Sequence, residues 1–228
     1  MKIKFGSLVT DGRGKIGGHV ASKNRGGAYL RTKVTPVNPQ TSFQSVARAR
    51  ITTFSQGWRS LTAAQQSAWN SAVSNFQKTD IFGDLKNPSG LNLYVRLNSN
   101  ITEAGGTAIV LPPLPGTVTA PLTVTLTGAA GTPALSVAWT GGAIPADTAW
   151  VARLTPQVSA GRSFVKSLYR NLLVLPAADT TPTDILTEYN ARFGTLVAGQ
   201  RIFLEVVAVN LLTGVKSTPL STFAVVAA

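Results

Sequence analysis

The chain has 228 residues, with 21 Lys and Arg against 9 Asp and Glu, for a formal charge of +12, one His and no Cys. This inventory excludes a disulfide framework, a thiolate metal site and a cysteine nucleophile, and a lone His19 supports neither a histidine metal site nor a His-paired triad unless other residue types fill in. Length allows one large domain or two small ones; no run of about 18 apolar residues could cross a membrane, and the opening Met-Lys-Ile-Lys-Phe-Gly-Ser lacks the apolar centre of a signal peptide.

The charge is concentrated at one end. Within residues 1–60, Lys2, Lys4, Arg13, Lys15, Lys23, Arg25, Arg31, Lys33, Arg48, Arg50 and Arg59 face a single acid, Asp11, a balance of +10; residues 61–228 balance at +2. Such asymmetry points to a polyanion or an acidic partner surface. The first ten of these bases are the candidate assembly or polyanion contacts, and the plain alternative is a solvated basic face.

Residues 1–35 are dense in glycine and hold three β-prone pieces, 3–9, 15–21 and 28–34. Asp11-Gly12-Arg13-Gly14 and Asn24-Arg25-Gly26-Gly27 read as tight turns. The apolar content is too low for a core, which predicts an extended β arm that orders against another surface. It can do so by adding to a strand edge or by laying its bases on acidic patches of a neighbour. Gly12, Gly14 and Gly17 match G-x-G-x-x-G, but no helix, no acid about 20 positions on and no βαβ pattern follows, so no nucleotide cofactor is expected. Phe5 and Tyr29 are too few to make a stacking platform for single strands.

Pro36-Val37-Asn38-Pro39 breaks the chain before a helix. Thr41 and Gln44 have the spacing of a capping box, and Phe43, Val46, Ala47, Ile51, Phe54 and Trp58 follow as an apolar stripe flanked by Arg48 and Arg50. Gly57 and Ser60 are expected to end this helix. Thr62 and Gln65 begin a second, with Trp69, Ala72, Val73 and Phe76 on one face, so the two helices should form a hairpin around Trp58 and Trp69 as core residues. A third helix over 91–103, capped by Ser89 and stopped by Gly105-Gly106, turns Leu93, Tyr94, Leu97 and Ile101 inward. Residues 36–104 therefore read as a small three-helix unit, and the Pro/Gly-rich 105–116 as a stiff linker marking a domain boundary.

From residue 117 the pattern alternates. Strands are expected over 122–126, 135–139, 150–154, 165–175 (interrupted by Arg170 and Asn171), 201–209 and 221–226. A short helix over 184–193 is capped from Thr183. About seven short strands with turn signals between them indicate an antiparallel sandwich over 117–228. The fold class is α+β and multidomain: an extended β arm, a small three-helix unit, then an all-β sandwich.

No residue set reads as chemistry. Asp80 and Asp84 lack the ligand density of a calcium loop and read as turn residues; Glu188 and Arg192 read as an i,i+4 salt bridge; His19 reads as a strand residue. The expectation is a non-enzyme with no metal and no cofactor.

Leu135-Ser-Val-Ala-Trp139, and Phe203-Leu-Glu-Val-Val-Ala-Val-Asn210 with Thr213-Gly214 and Ser217-Thr-Pro219, resemble strands of fibronectin type III and Ig-like domains. The likeness implies a sandwich over 117–228 and no particular partner. The helix near 184–193 and the missing Tyr in the penultimate strand depart from that pattern. Gly26-Gly27-Ala28-Tyr29, Asn38-Pro39-Gln40-Thr41, the run from Trp58 to Trp69 and Leu91-Asn-Leu-Tyr-Val-Arg96 resemble uncharacterised proteins of phages and prophages of Bacteroidetes-type bacteria, over about residues 14–100. That likeness implies a virion structural protein, made in the bacterial host cytoplasm: a homo-oligomeric head, neck or tail accessory or decoration subunit. Its partners would be other virion proteins and copies of itself, with no membrane. The alternatives are a basic DNA-associated protein that binds phosphates without reading sequence, and a glycan-binding adhesion module.

Overall fold

A computed structural model describes residues 1–4, 6, 11–24 and 26–228. Its beginning is a four-stranded antiparallel sheet of β1 (Lys2–Ile3), β2 (Gly14–Ile16), β3 (His19–Asn24) and β4 (Gly27–Thr32), in the order β1-β4-β3-β2. The first hairpin turns at Gly17-Gly18, where Ile16 pairs with His19 and Gly17 has φ +57°. A positive φ at the first of two loop residues suits the twist of the flanking strands. The sequence pattern places that turn at 11–14 and a strand through 15–21; the glycine pair wins because the hairpin needs left-handed backbone there. The second hairpin is as expected, with Asn24 Oδ1 accepting from the Gly26 N–H (2.9 Å) and Asn24 opposite Gly27. Most of the piece at 3–9 lies outside the described residues.

Partners across an antiparallel ladder share a face. Ile3, Ile16, Ala21, Ala28 and Leu30 fall on one face of this sheet, and Lys2, Lys15, Val20, Tyr29 and Arg31 on the other. Of the first set only Ala21 is buried, while Ile16 is 67% exposed. Among the described residues, the buried apolar clusters include nothing before Phe54. The three β-prone pieces do lack a core, but rather than staying extended they pair with one another within the chain.

α1 (Ser42–Ser60) is entered through Thr41, whose hydroxyl accepts from the Gln44 N–H (3.3 Å). The reciprocal half of the expected capping box is not formed, and Gln44 Oε1 is buried without a partner. α2 (Ala63–Ala72) has the complete box from Thr62 and Gln65 and runs on into a 3₁₀ turn, Val73–Phe76. A short hairpin of β5 (Lys78–Thr79) and β6 (Leu85–Lys86) leads to α3 (Gly90–Glu103), capped by Ser89. Tyr94 of α3 is the hub: Phe54, Trp58 and Trp69 lie with ring centroids 6.2, 5.7 and 5.3 Å from it. α1 and α2 both pack on Tyr94 of α3, and Gln66 Nε2 of α2 also donates to the Trp58 carbonyl of α1 (2.9 Å). Gly57 lies inside α1, where a Cβ would come 3.2 Å from the Tyr94 hydroxyl; it admits α3 and does not end the helix.

The segment after α3 has no regular structure, yet it is pinned. Buried Asn98 donates through Nδ2 to the Tyr94 and Ile109 carbonyls (both 3.1 Å) and accepts through Oδ1 from the Ile109 N–H (2.6 Å). Trp69 Nε1 donates to the Val110 carbonyl (2.8 Å).

The remainder is β7 (Thr123–Ala129), β8 (Ala134–Thr140), β9 (Thr148–Leu154), β10 (Arg170–Leu175), β11 (Thr183–Asp184), α4 (Leu186–Phe193), β12 (Arg201–Asn210) and β13 (Leu220–Val225). The strands form antiparallel sheets of order β11-β8-β7 and β10-β9-β12-β13, neither closed. Alternating residues of both, including Leu126, Val137, Trp139, Leu154, Ile202, Leu204 and Val206, meet in one apolar cluster with Tyr189 of α4. β9 is also covered on its other side, where Ala149 and Val151 join Val209 of β12 against Ala104 at the end of α3. The fold is therefore mixed α+β, with four α-helices and several open antiparallel sheets among the described residues.

Three local expectations fail here. Arg170 and Asn171 open β10 instead of interrupting a longer strand, and the ladder shifts register between Asn171 and Leu173. Thr183 and Asp184 pair with Val137 and Ser136, so α4 begins later, and Asp184 Oδ1, not Thr183, accepts from the Leu186 N–H (3.0 Å). Arg192 does not pair with Glu188: its guanidinium stacks 4.0 Å from the Phe43 ring centroid and donates to the Asn171 carbonyl.

Candidate functional site

The structure distributes the predicted basic residues over three places. Lys2 and Lys4 tie the first strand to the β5–β6 turn of the same chain. Lys2 Nζ lies 3.8 Å from Asp80 and Lys4 Nζ 3.0 Å from Asp84, with Lys4 also over the Phe82 ring. The turn is preorganised: Asp80 Oδ1 accepts from the Phe82 and Asp84 N–H groups (2.8 and 3.1 Å). Burial would raise the Asp80 pKa, but these bonds and the charges of Lys2 and Lys86 outweigh it and hold the carboxyl below its ordinary value. Asp80 and Asp84 act as turn residues, as read from sequence, and they supply an intramolecular acidic patch for the arm.

A second group lies on the first sheet. Lys15, Val20 and Arg31 form one row across β2, β3 and β4, and Tyr29 lies beside Lys2 in the next ladder rung. Lys23 points to the opposite face, Arg13 pairs with Asp11 (3.3 Å), and Lys33 follows β4 on exposed backbone. Arg25 lies outside the described residues.

The third place is α1. Arg48 donates to Asn38 Oδ1 (2.7 Å) from an exposed position. Arg50 is half-buried and lines a groove of about 530 Å³ between α1 and α3, together with Ala47, Ile51, Leu91, Val95 and Arg96. The expected apolar stripe of α1 is only partly used. Phe54 is buried, whereas Phe43, Val46 and Ile51 remain 63%, 57% and 55% exposed.

Sequence reasoning missed Arg96. It is half-buried over the Phe76 ring (6.0 Å), and among the described residues it has no carboxylate partner. Burial pushes its guanidinium below the usual arginine range. The available signal was its spacing, one residue after Val95 and four after Asn92, on the edge of the α3 apolar face.

Other candidates do not converge. His19 is exposed and pairs with Thr32 across the ladder. Among the described residues no three His, Asp or Glu side chains gather as metal ligands, and no helix is long and apolar enough to cross a membrane. Gly12, Gly14 and Gly17 belong to the start of the first hairpin, with no helix after them. Trp139 and Trp150 are buried edge-to-face against each other, 5.3 Å apart, and offer no ring to a sugar.

No protein-family model matches the chain, and no curated protein matches it significantly.

Proposed function

We propose that this chain is a non-enzymatic structural subunit of a phage particle, a head, neck or tail accessory protein that assembles with other virion proteins and with copies of itself. The observation that carries the reading is the first sheet. Among the described residues it joins no buried cluster, pairs β2 on one side only, and is tied to the rest of the chain by ion pairs exposed on their lysine side. Such a sheet gains stability when a neighbouring strand or surface covers it. The exposed half of the α1 stripe is a second unburied contact surface. Repetition around a symmetric particle multiplies weak contacts of this kind through effective concentration.

The second half supports the same reading as a projecting module. First, second and fifth strands in one sheet, and third, fourth, sixth and seventh in the other, are the arrangement that a fibronectin-III-like sandwich implies, with α4 inserted between the fifth and sixth.

Mass spectrometry of purified particles, with antibody labelling under the electron microscope, tests this. The protein should be present in stoichiometric copies at one location; absence from intact particles refutes the reading. A DNA-associated role is favoured by one feature, the Lys15–Arg31 row. It predicts binding to random duplex DNA with a steep salt slope, lost on replacing both residues by Glu.

A further inference from the structure

We infer that the groove between α1 and α3 is a docking site for an acidic, amphipathic segment of a different protein. This deepens the assembly reading by naming the chemistry of one partner.

The groove follows residues 47–55 of α1 and 91–100 of α3, about two helical turns or some 13 Å at 1.5 Å per residue. Its lining is of two kinds. Ala47, Ile51, Leu91 and Val95 supply apolar surface, of which Ile51 is more than half exposed. Arg50 and Arg96 are the basic residues of the lining, and among the described residues no carboxylate lines the groove. Ser99, also on the lining, has a solvent-inaccessible hydroxyl oxygen without a hydrogen-bond partner. A half-buried guanidinium lacking a carboxylate is electrostatically incomplete, because burial has removed water that the protein has not replaced with an anion.

The chemistry discriminates among occupants. A phosphodiester backbone would satisfy the arginines but leave the aliphatic wall in water, and among the described residues no aromatic ring lines the groove to stack a base. A segment with Asp or Glu on one side and bulky apolar residues on the other satisfies both, as helix-in-groove recognition does.

A second copy of this chain is poorly supplied with the complement. Of its nine carboxylates, Asp11, Asp80, Asp84, Glu103 and Glu205 are in ion pairs. Asp147 accepts from Asn210 and Thr148, and Asp184 accepts from the Leu186 N–H. Asp179 and Glu188 alone remain. The first 60 residues of two copies would also repel, each carrying +10. The occupant is therefore another protein.

The test is selection of a random displayed peptide library on the full-length protein, with counter-selection against the Ile51→Asp variant. A selected peptide is then synthesised and titrated by fluorescence anisotropy. The expected peptides combine carboxylates with bulky apolar residues, and their affinity falls about tenfold or more in both Ile51→Asp and Arg50→Glu. Ile51 is more than half exposed and Arg50 half-buried, and thermal melts establish that each variant folds. Peptides that are acidic without apolar enrichment, or that bind both variants as well as the parent, overturn the proposal. So does random-sequence duplex DNA that displaces the peptide and is weakened by the same substitutions. Self-association abolished by Ile51→Asp would assign the groove to a second copy and likewise overturn it. Particle localisation is measured independently: a groove that selects the expected peptides in a protein absent from particles would sink the virion reading alone.

Discussion

Asn98 is a polar side chain in the middle of an apolar helix face, buried beside Leu97 and Ile101, with both its amide atoms engaged. Its work is local: it gives the Ile109 N–H and carbonyl the partners that a strand or helix would otherwise supply. Asn98→Ala should cost about 2–3 kcal/mol by leaving those backbone groups unmatched beside a small void, measurable by urea unfolding. Sequence marked Leu93, Tyr94, Leu97 and Ile101 correctly because they share one period. It could not mark Asn98, since its partner lies eleven residues on in a segment without periodicity. Arg96 escaped for a similar reason, its burial being set by Phe76 and the neighbouring helix. Glu103 is a third such residue. Burial raises its pKa, but the Lys216 hydrogen bond (2.5 Å) and charge, the Asn171 amide and Arg153 together hold it below the ordinary 4.5. A depressed carboxylate contributes stability at pH above its unfolded value, and that contribution fades as pH falls through the folded value. Glu103→Gln should therefore destabilise at neutral pH by about 2 kcal/mol, and the gap from the parent should narrow steadily in acid below the unfolded value. A gap unchanged down to the pH at which the parent unfolds would remove the carboxylate's charge from the account.

At the scale of elements, helices were legible where their ends carry side-chain caps. Ser89, Thr62 and Thr41 all stand at N-caps, and each helix starts within a residue of the reading. α4 was misplaced at its start because Thr183 and Asp184 are recruited to the edge of β8, a non-local pairing that outweighs a local cap. The exposed half of α1 was visible as apolar residues but not as unburied ones, since periodicity reports a face and not what covers it. The first sheet shows the same limit: its strands were readable, whereas Lys2 and Lys4 meeting Asp80 and Asp84 requires a contact across more than seventy residues. That attachment is electrostatic and exposed on its lysine side, so it should be weak and salt-sensitive. Replacing Asp80 and Asp84 by Asn keeps an oxygen to accept the Phe82 and Asp84 N–H groups while removing the charge. Hydrogen exchange at the β1–β4 ladder should then accelerate, and raising ionic strength in the parent should do the same. The melting temperature should fall only slightly, because among the described residues no buried cluster draws on that sheet.

At the scale of the molecule, the end of α3 is where the helices meet the second pair of sheets. Ala104 covers Ala149, Val151 and Val209; Asn100 Nδ2 donates to the Gly214 carbonyl (2.9 Å); and Lys216 reaches Glu103. The contact is closest at Gly214, which has φ +69° and whose added Cβ would lie 2.4 Å from the Leu97 carbonyl oxygen. Backbone atoms cannot swing aside as a flexible side chain can, and an L residue is strained at that φ, so Gly214→Ala must lift the β12–β13 loop off α3. Two units joined by a buried apolar patch and an ion network should unfold together, giving one calorimetric transition whose van't Hoff and calorimetric enthalpies agree. Gly214→Ala should cost well over about 1 kcal/mol and, by weakening the joint more than either unit, resolve the single transition into two. Parent protein that already melts in two independent steps would mean that the α3 contacts carry no coupling, and that the Pro/Gly-rich segment after α3 behaves as a free joint despite the hydrogen bonds of Asn98 and Trp69 that hold it.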